Sequence, residues 1–136
     1  MKKVIIAGSR KFQDYYFLKR TLKKHILEPV IVVSGCAAGA DKLGEQWAAE
    51  YGLTIEQHPA NWKNLDVPNC VVRYNKYGAY NAMAGHNRNR EMLDSIRNNP
   101  DGGFVIAFWD GKSKGTENMI KIAREAGIQV IIAEIP

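Results

Sequence analysis

Short apolar runs alternate with amphipathic stretches along most of this chain. Lys3-Val4-Ile5-Ile6-Ala7 is β-branched and apolar, stops at Gly8-Ser9-Arg10, and predicts a buried first strand. From Tyr15 to Leu27, the residues Phe17, Leu18, Leu22, Ile26 and Leu27 fall near a helical stripe, with Lys19, Arg20, Lys23 and Lys24 largely outside it. Asp14 is placed to cap this helix and Pro29 to end it. Val30-Ile31-Val32-Val33 predicts a second strand, and Leu43, Trp47 and Ala48 mark a helix over Asp41 to Tyr51, stopped by Gly52. A third, more polar strand spans Leu53 to Gln57.

The alternation then breaks. Residues 60–84 carry Asn, Gly, Pro, Trp62, Tyr74, Tyr77 and Tyr80 without sustained periodicity, which predicts a long ordered loop or lid instead of a framework element. Its aromatics suit either stacking on a base or packing onto the domain. Regular patterning resumes at Gly85-His86-Asn87-Arg88, which opens a helix with Met92, Leu93 and Ile96 on its apolar side. Phe104 to Trp109 predicts the next strand, about Glu117 to Ala126 a helix closed by Gly127, and Ile128 to Ala133 the last strand.

Strands and helices in this order imply one α/β domain over residues 1–136: a three-layer parallel sheet of about five strands with helices on both faces. Ligands of such sheets lie beyond the carboxyl ends of the strands, near the switch point in strand order. Four glycine-rich or polar segments leave those ends: Gly8-Ser9-Arg10, Gly35 to Asp41, Arg88-Asn89 and Gly111 to Thr116. The second, Gly35-Cys36-Ala37-Ala38-Gly39-Ala40-Asp41, lets backbone N–H groups approach a ligand while the next helix points its positive end there, and phosphate is the natural guest. Its spacing is neither G-x-G-x-x-G nor G-x-x-x-x-G-K-[ST], which leaves dinucleotide and P-loop readings without their main support.

Composition adds boundaries. The 136 residues are 46% hydrophobic and 24% charged, as in a soluble globular protein. The net charge of +5 favours phosphorylated ligands, although several Lys and Arg fall on predicted wet helix faces. The first apolar run is too short for a signal-peptide core or a membrane span, so a cytoplasmic protein is expected. Cys36 and Cys70 form no C-x-x-C pair and are expected to be reduced, with Cys36 a small filler between strand and helix. His25, His58 and His86 form no metal-ligand pattern with one another or with Cys, and no metal is expected.

The four segments, with Ala60-Asn61-Trp62, Ala84-Gly85-His86, Met92 and Gly115-Thr116, resemble the motif series of the YspA-core proteins of the SLOG superfamily. That superfamily includes the LOG or lysine decarboxylase-like phosphoribohydrolases and the Rossmann domain of DNA processing protein A. The resemblance runs from Gly8 to about Ala126 and implies a Rossmann-like fold that binds nucleotides or nucleotide-derived ligands, some relatives cleaving the N-glycosidic bond and others acting as sensors. Two departures stand out. The hydrolases carry P-G-G-x-G-T-x-x-E, and the Glu position here is Met119, with Glu117 facing elsewhere on the helix. The segment from Lys63 to Met83 also exceeds the usual link between the Trp and Arg-Asn motifs.

The expected ligand-binding residues are therefore Gly8, Ser9, Arg10, Gly35, Ala38, Gly39, Asp41, Trp62, Arg88, Asn89, Gly111, Ser113, Gly115 and Thr116. Arg10 and Arg88 are candidates for phosphate contacts. Asp41 is a candidate for a ribose hydroxyl, a metal, or the cap of the second helix; Ser113 for phosphate or for capping. Asp41 and Asp110 are the candidate catalytic carboxylates. Nucleotide binding leads, with N-glycosidic hydrolysis of nucleoside monophosphates and single-stranded nucleic-acid binding as alternatives. No cofactor is indicated beyond a nucleotide-like ligand. A homo-oligomer sharing the helix near Met92 is the candidate assembly.

Overall fold

The computed structural model describes residues 1–135. The central sheet is parallel, with strands β1 (Lys3–Gly8), β2 (Ile31–Ser34), β3 (Ile55–Gln57), β6 (Gly103–Trp109) and β7 (Val130–Glu134) in the order β3-β2-β1-β6-β7. Helices α1 (Tyr15–His25), α2 (Ala40–Glu50), α3 (Ala84–Arg97) and α4 (Lys114–Glu125) cover it. This is the expected three-layer Rossmann-like α/β fold.

The two faces follow the strand pleat. Val4, Ile6, Val32, Ile106 and Phe108 pack on Leu18 and Leu22 of α1 and on Trp47 and Ala48 of α2. Ile5, Ala7, Val33 and Val105 meet Met92, Leu93 and Ile96 of α3 and Met119 and Ala123 of α4. Strands buried on both faces read as continuous apolar runs, which is why their periodicity is one of length and not of alternation. β1 pairs with β2 on one side and β6 on the other, so the strand order reverses there and a crevice opens between the loops leaving β1 and β6.

Local chemistry fixes the helix ends. Asp14 accepts the Phe17 N–H at 3.0 Å, as expected of a cap. The first helix stops at His25, two residues short of Leu27, because Ile26 turns extended and Leu27 faces solvent. The last helix starts at Lys114, three residues before Glu117. Met92 is buried against the sheet, so a partner copy would have to use another face of α3.

The segment over 60–84 contains a framework element of its own. β4 (Val72–Asn75) and β5 (Gly78–Asn81) form an antiparallel hairpin, detached from the main sheet. Its anchor is Asn81, fully buried, whose backbone N–H donates to Trp62 O at 2.7 Å and whose Oδ1 accepts from Met83 N at 2.9 Å and Val71 N at 3.3 Å. Tyr74 and Tyr77 stand out in solvent. Among the described residues no helix is long and apolar enough to cross a membrane.

Candidate functional site

The crevice at the β1–β6 switch point opens into a cleft of about 550 Å³. All four expected segments reach it, but not with every residue expected. Gly8, Ser9 and Arg10 line it from β1, Asp41 from α2, Trp62 from the insert, Arg88 and Asn89 from α3, and Asp110, Ser113, Gly115 and Thr116 from the loop into α4. Gly35, Ala38, Gly39 and Gly111 do not.

Two of those glycines support the site from behind. Gly39 has φ +79°, and a Cβ there would overlap the Ser9 and Arg10 backbone, so its bare Cα lets the loop before α2 lie directly on the loop after β1. Gly35 leaves room for two functional groups: a Cβ there would stand 2.7 Å from Arg88 Nη1 and 2.8 Å from Asp41 Oδ2.

Asp41 lies within α2, so it is not the helix cap; that position is Gly39. Its Oδ2 instead accepts the Ala37 N–H at 3.1 Å, holding the loop before the helix. Burial pushes the Asp41 carboxyl up to about 6, against the pull of the Ala37 N–H and the nearby Arg88 guanidinium. Arg88 is half-buried, donates from Nε to Asn89 Oδ1 at 3.0 Å and from Nη1 to Gly35 O, and its other N–H donors have no acceptor among the described residues. Asn89 is fully engaged: its Nδ2 donates to Gly115 O at 3.3 Å and Asn118 Oδ1 at 3.0 Å. It therefore ties α3 to the start of α4 and steadies Arg88.

The fourth wall is the start of α4. Ser113 occupies the cap position but its Oγ meets Thr116 Oγ1 at 3.0 Å and makes no capping bond. The N–H groups of Gly115 and Thr116 have no acceptor among the described residues, and a Cβ on Gly115 would meet nothing within 4 Å. Asp110 is exposed. Its Oδ1 accepts the Lys112 and Ser113 N–H groups at 2.8 Å each, bonds that hold its carboxyl below the usual range and shape the turn. Such a carboxylate is a poor proton acceptor near neutral pH.

Trp62 is 38% exposed, with the Arg10 guanidinium 6.0 Å from its ring centroid and Tyr80 edge-on at 6.4 Å. Met119 is buried and forms part of the cleft floor, so a thioether stands where the hydrolases of the superfamily carry Glu. Cys36 lies off the cleft in a left-handed conformation (φ 63°), and burial pushes its thiol up, which fits a filler and not a nucleophile.

Sequence reasoning missed Lys11, Lys112 and Lys114, which also line the cleft. For Lys11 and Lys112 the signal was their place in strand-end loops, where a cation cannot be assigned to a wet helix face; Lys114 opens α4 and lies 3.9 Å from Glu117. With them the wall carries five Lys and Arg side chains against two carboxylates. His86 lines it too, with no side-chain hydrogen-bond partner among the described residues.

The profile of the YspA, cpYpsA-related SLOG family matches residues 2–65. The Gene 61 protein of Mycobacterium phage D29 is 30% identical over 139 residues, spanning 96% of this chain and 95% of its own. The chain belongs to the YspA, cpYpsA-related SLOG family. For this SLOG protein the matched stretch covers β1 through β3 and Trp62, hence the Gly8-Ser9-Arg10 and Gly35 to Asp41 loops; the cleft walls from α3 and α4 lie beyond it.

Proposed function

We propose that the cleft binds a nucleotide or a nucleotide-derived ligand, with its phosphate between Arg10, Arg88 and the first turn of α4. The observation that carries this reading is the meeting of two guanidiniums with the unpaired N–H groups of Gly115 and Thr116 in one cleft. Backbone N–H groups at a helix start and a planar guanidinium both suit phosphate oxygens, and the excess of Lys and Arg on the wall adds attraction. A volume near 550 Å³ suits a ligand of mononucleotide size, and Trp62 offers a face for a base.

Calorimetric titration with AMP tests this. One ligand per chain is expected, and Arg10→Ala should weaken it about tenfold, the loss of a charge-assisted contact. An unchanged affinity in Arg10→Ala would remove the phosphate assignment.

A second reading, hydrolysis of the N-glycosidic bond of a nucleoside monophosphate, is favoured by one observation. Asp41, at about 6, is poised to exchange a proton near neutral pH, whereas Asp110 is held ionised. Met119 in the Glu position weighs against it. Incubation with AMP should then release adenine, and no release above an Asp41→Asn control ends that version.

A further inference from the structure

We propose that Asp41 accepts a hydrogen bond from a sugar hydroxyl of the ligand, so that the cleft takes ribonucleotides in preference to their deoxy counterparts. This rests on the phosphate-binding reading above and names the sugar that the same site selects.

Asp41 is only 7% exposed, yet it forms part of the cleft wall. One carboxylate oxygen, Oδ2, takes the Ala37 N–H; Oδ1 has no hydrogen-bond or ion-pair partner among the described residues. No enclosed side-chain polar atom among those residues lacks a partner, so Oδ1 is not sealed in the core, and the residue that carries it lines the cleft. The nearest cation does not clasp it: Arg88 directs Nη1 to Gly35 O and Nε to Asn89 Oδ1. A nearly buried carboxylate thus has counter-charge beside it and an acceptor oxygen left open. Burial outweighs the single Ala37 N–H donor and the nearby Arg88 charge, which keeps its proton affinity high.

The chemistry of the complement follows. The ionised carboxylate repels a phosphate oxygen, and Arg10 and Arg88 oppose a metal cation at the same place; among the described residues no three His, Cys, Asp or Glu side chains gather to hold one. A neutral donor remains. Asp41 and Arg88 line the same cleft and crowd the same glycine, a Cβ on Gly35 standing 2.8 and 2.7 Å from their committed atoms Oδ2 and Nη1, so a donor that meets the free Oδ1 sits close to a phosphate held by the remaining N–H groups of Arg88. In a nucleotide the neutral donors nearest the phosphate are the sugar hydroxyls; the amino group of a base is farther along the molecule.

Titration of the wild-type protein with AMP, 2′-deoxy-AMP, 3′-deoxy-AMP and inorganic phosphate tests this without requiring any variant to fold. At least one deoxy analogue should bind about tenfold more weakly than AMP, because the buried acceptor is then left without its donor. In Asp41→Asn the amide oxygen is kept by the Ala37 N–H and the NH2 group turns to the cleft. The preference should shrink to within about twofold. Equal binding of all three nucleotides by the wild type overturns the hydroxyl contact alone, as does a preference that survives Asp41→Asn. Failure of both AMP and phosphate to bind overturns the phosphate-binding reading itself, and the hydroxyl contact with it.

Discussion

Two carboxylates in this fold, Asp41 buried and Glu56 half-buried, have opposite fates. Glu56, on β3, accepts Lys3 Nζ at 2.8 Å on Oε1, and His58 Nε2 at 2.6 Å and Ser95 Oγ on Oε2. Burial pushes its carboxyl up, but these three partners outweigh burial and hold it down at about 2. Asp41, at the strand ends, has one backbone N–H and an open oxygen, and burial wins. The first is a finished network that ties β1, β3 and α3 together; the second is unfinished in the protein alone. An interior polar group with all its bonds made serves the fold, and one with a bond outstanding at a cleft wall is set up for a visitor.

The comparison breaks most sharply at Glu56. Glu56→Ala leaves the Lys3 ammonium without its carboxylate and should lower unfolding free energy by about 3 kcal/mol in a denaturant titration, with AMP affinity unchanged. A loss of under about 1 kcal/mol would mean that the network is ornamental.

Acidity gives the next effect, with opposite signs at the two sites. Asp41 sits near 6 folded and 3.8 unfolded, so the folded chain holds the extra proton between those values and stability falls as pH rises through that window. The fall should be about 2–3 kcal/mol, and Asp41→Asn should remove it. The Glu56 contribution runs the other way: it is present above 4.5 and is lost as pH falls toward 2. Denaturation midpoints of both proteins measured from pH 3 to 8 check the sign; parallel profiles would contradict it.

Smaller effects belong to the cleft. Arg88→Lys keeps the charge but loses the fork that reaches Gly35 O and Asn89, and should weaken AMP by about tenfold. Trp62→Ala should cost about threefold to tenfold if a base rests on the ring. Salt separates a mononucleotide cleft from a nucleic-acid groove: AMP affinity should fall gently, and an oligonucleotide affinity that grows with length and drops steeply with salt would move the function to the exposed Tyr74 and Tyr77.

The framework was legible because its strands are short apolar runs closed by Gly or Pro, and the order of elements then dictates the sheet. Boundaries slipped where residues give contradictory local signals. Gly115 and Thr116 are weak helix formers, so α4 reads as starting at Glu117, yet the helix begins at Lys114 with Ser113 in the cap position. The β4–β5 hairpin was hidden for another reason. Nearly all its residues are exposed on both faces, so it has no apolar alternation, and its clues are the Asn75 side chain accepting the Tyr77 N–H and Gly78 at φ +107°. In the cleft, charged residues at strand ends were readable from order alone. The glycines were not, since whether a bare Cα faces a ligand or another loop is decided by contacts distant in sequence, as Gly39 against Ser9 shows.

Trp62 and Ala82 are the parts of the cleft that the five-stranded framework does not supply. Arg10, Arg88 and the first turn of α4 stand on the sheet and its helices, while Trp62 is held through its carbonyl by Asn81 of a separate hairpin. Under the proposed nucleotide reading, exchanging that appendage would re-tailor the face offered to a base and leave the five-stranded framework untouched.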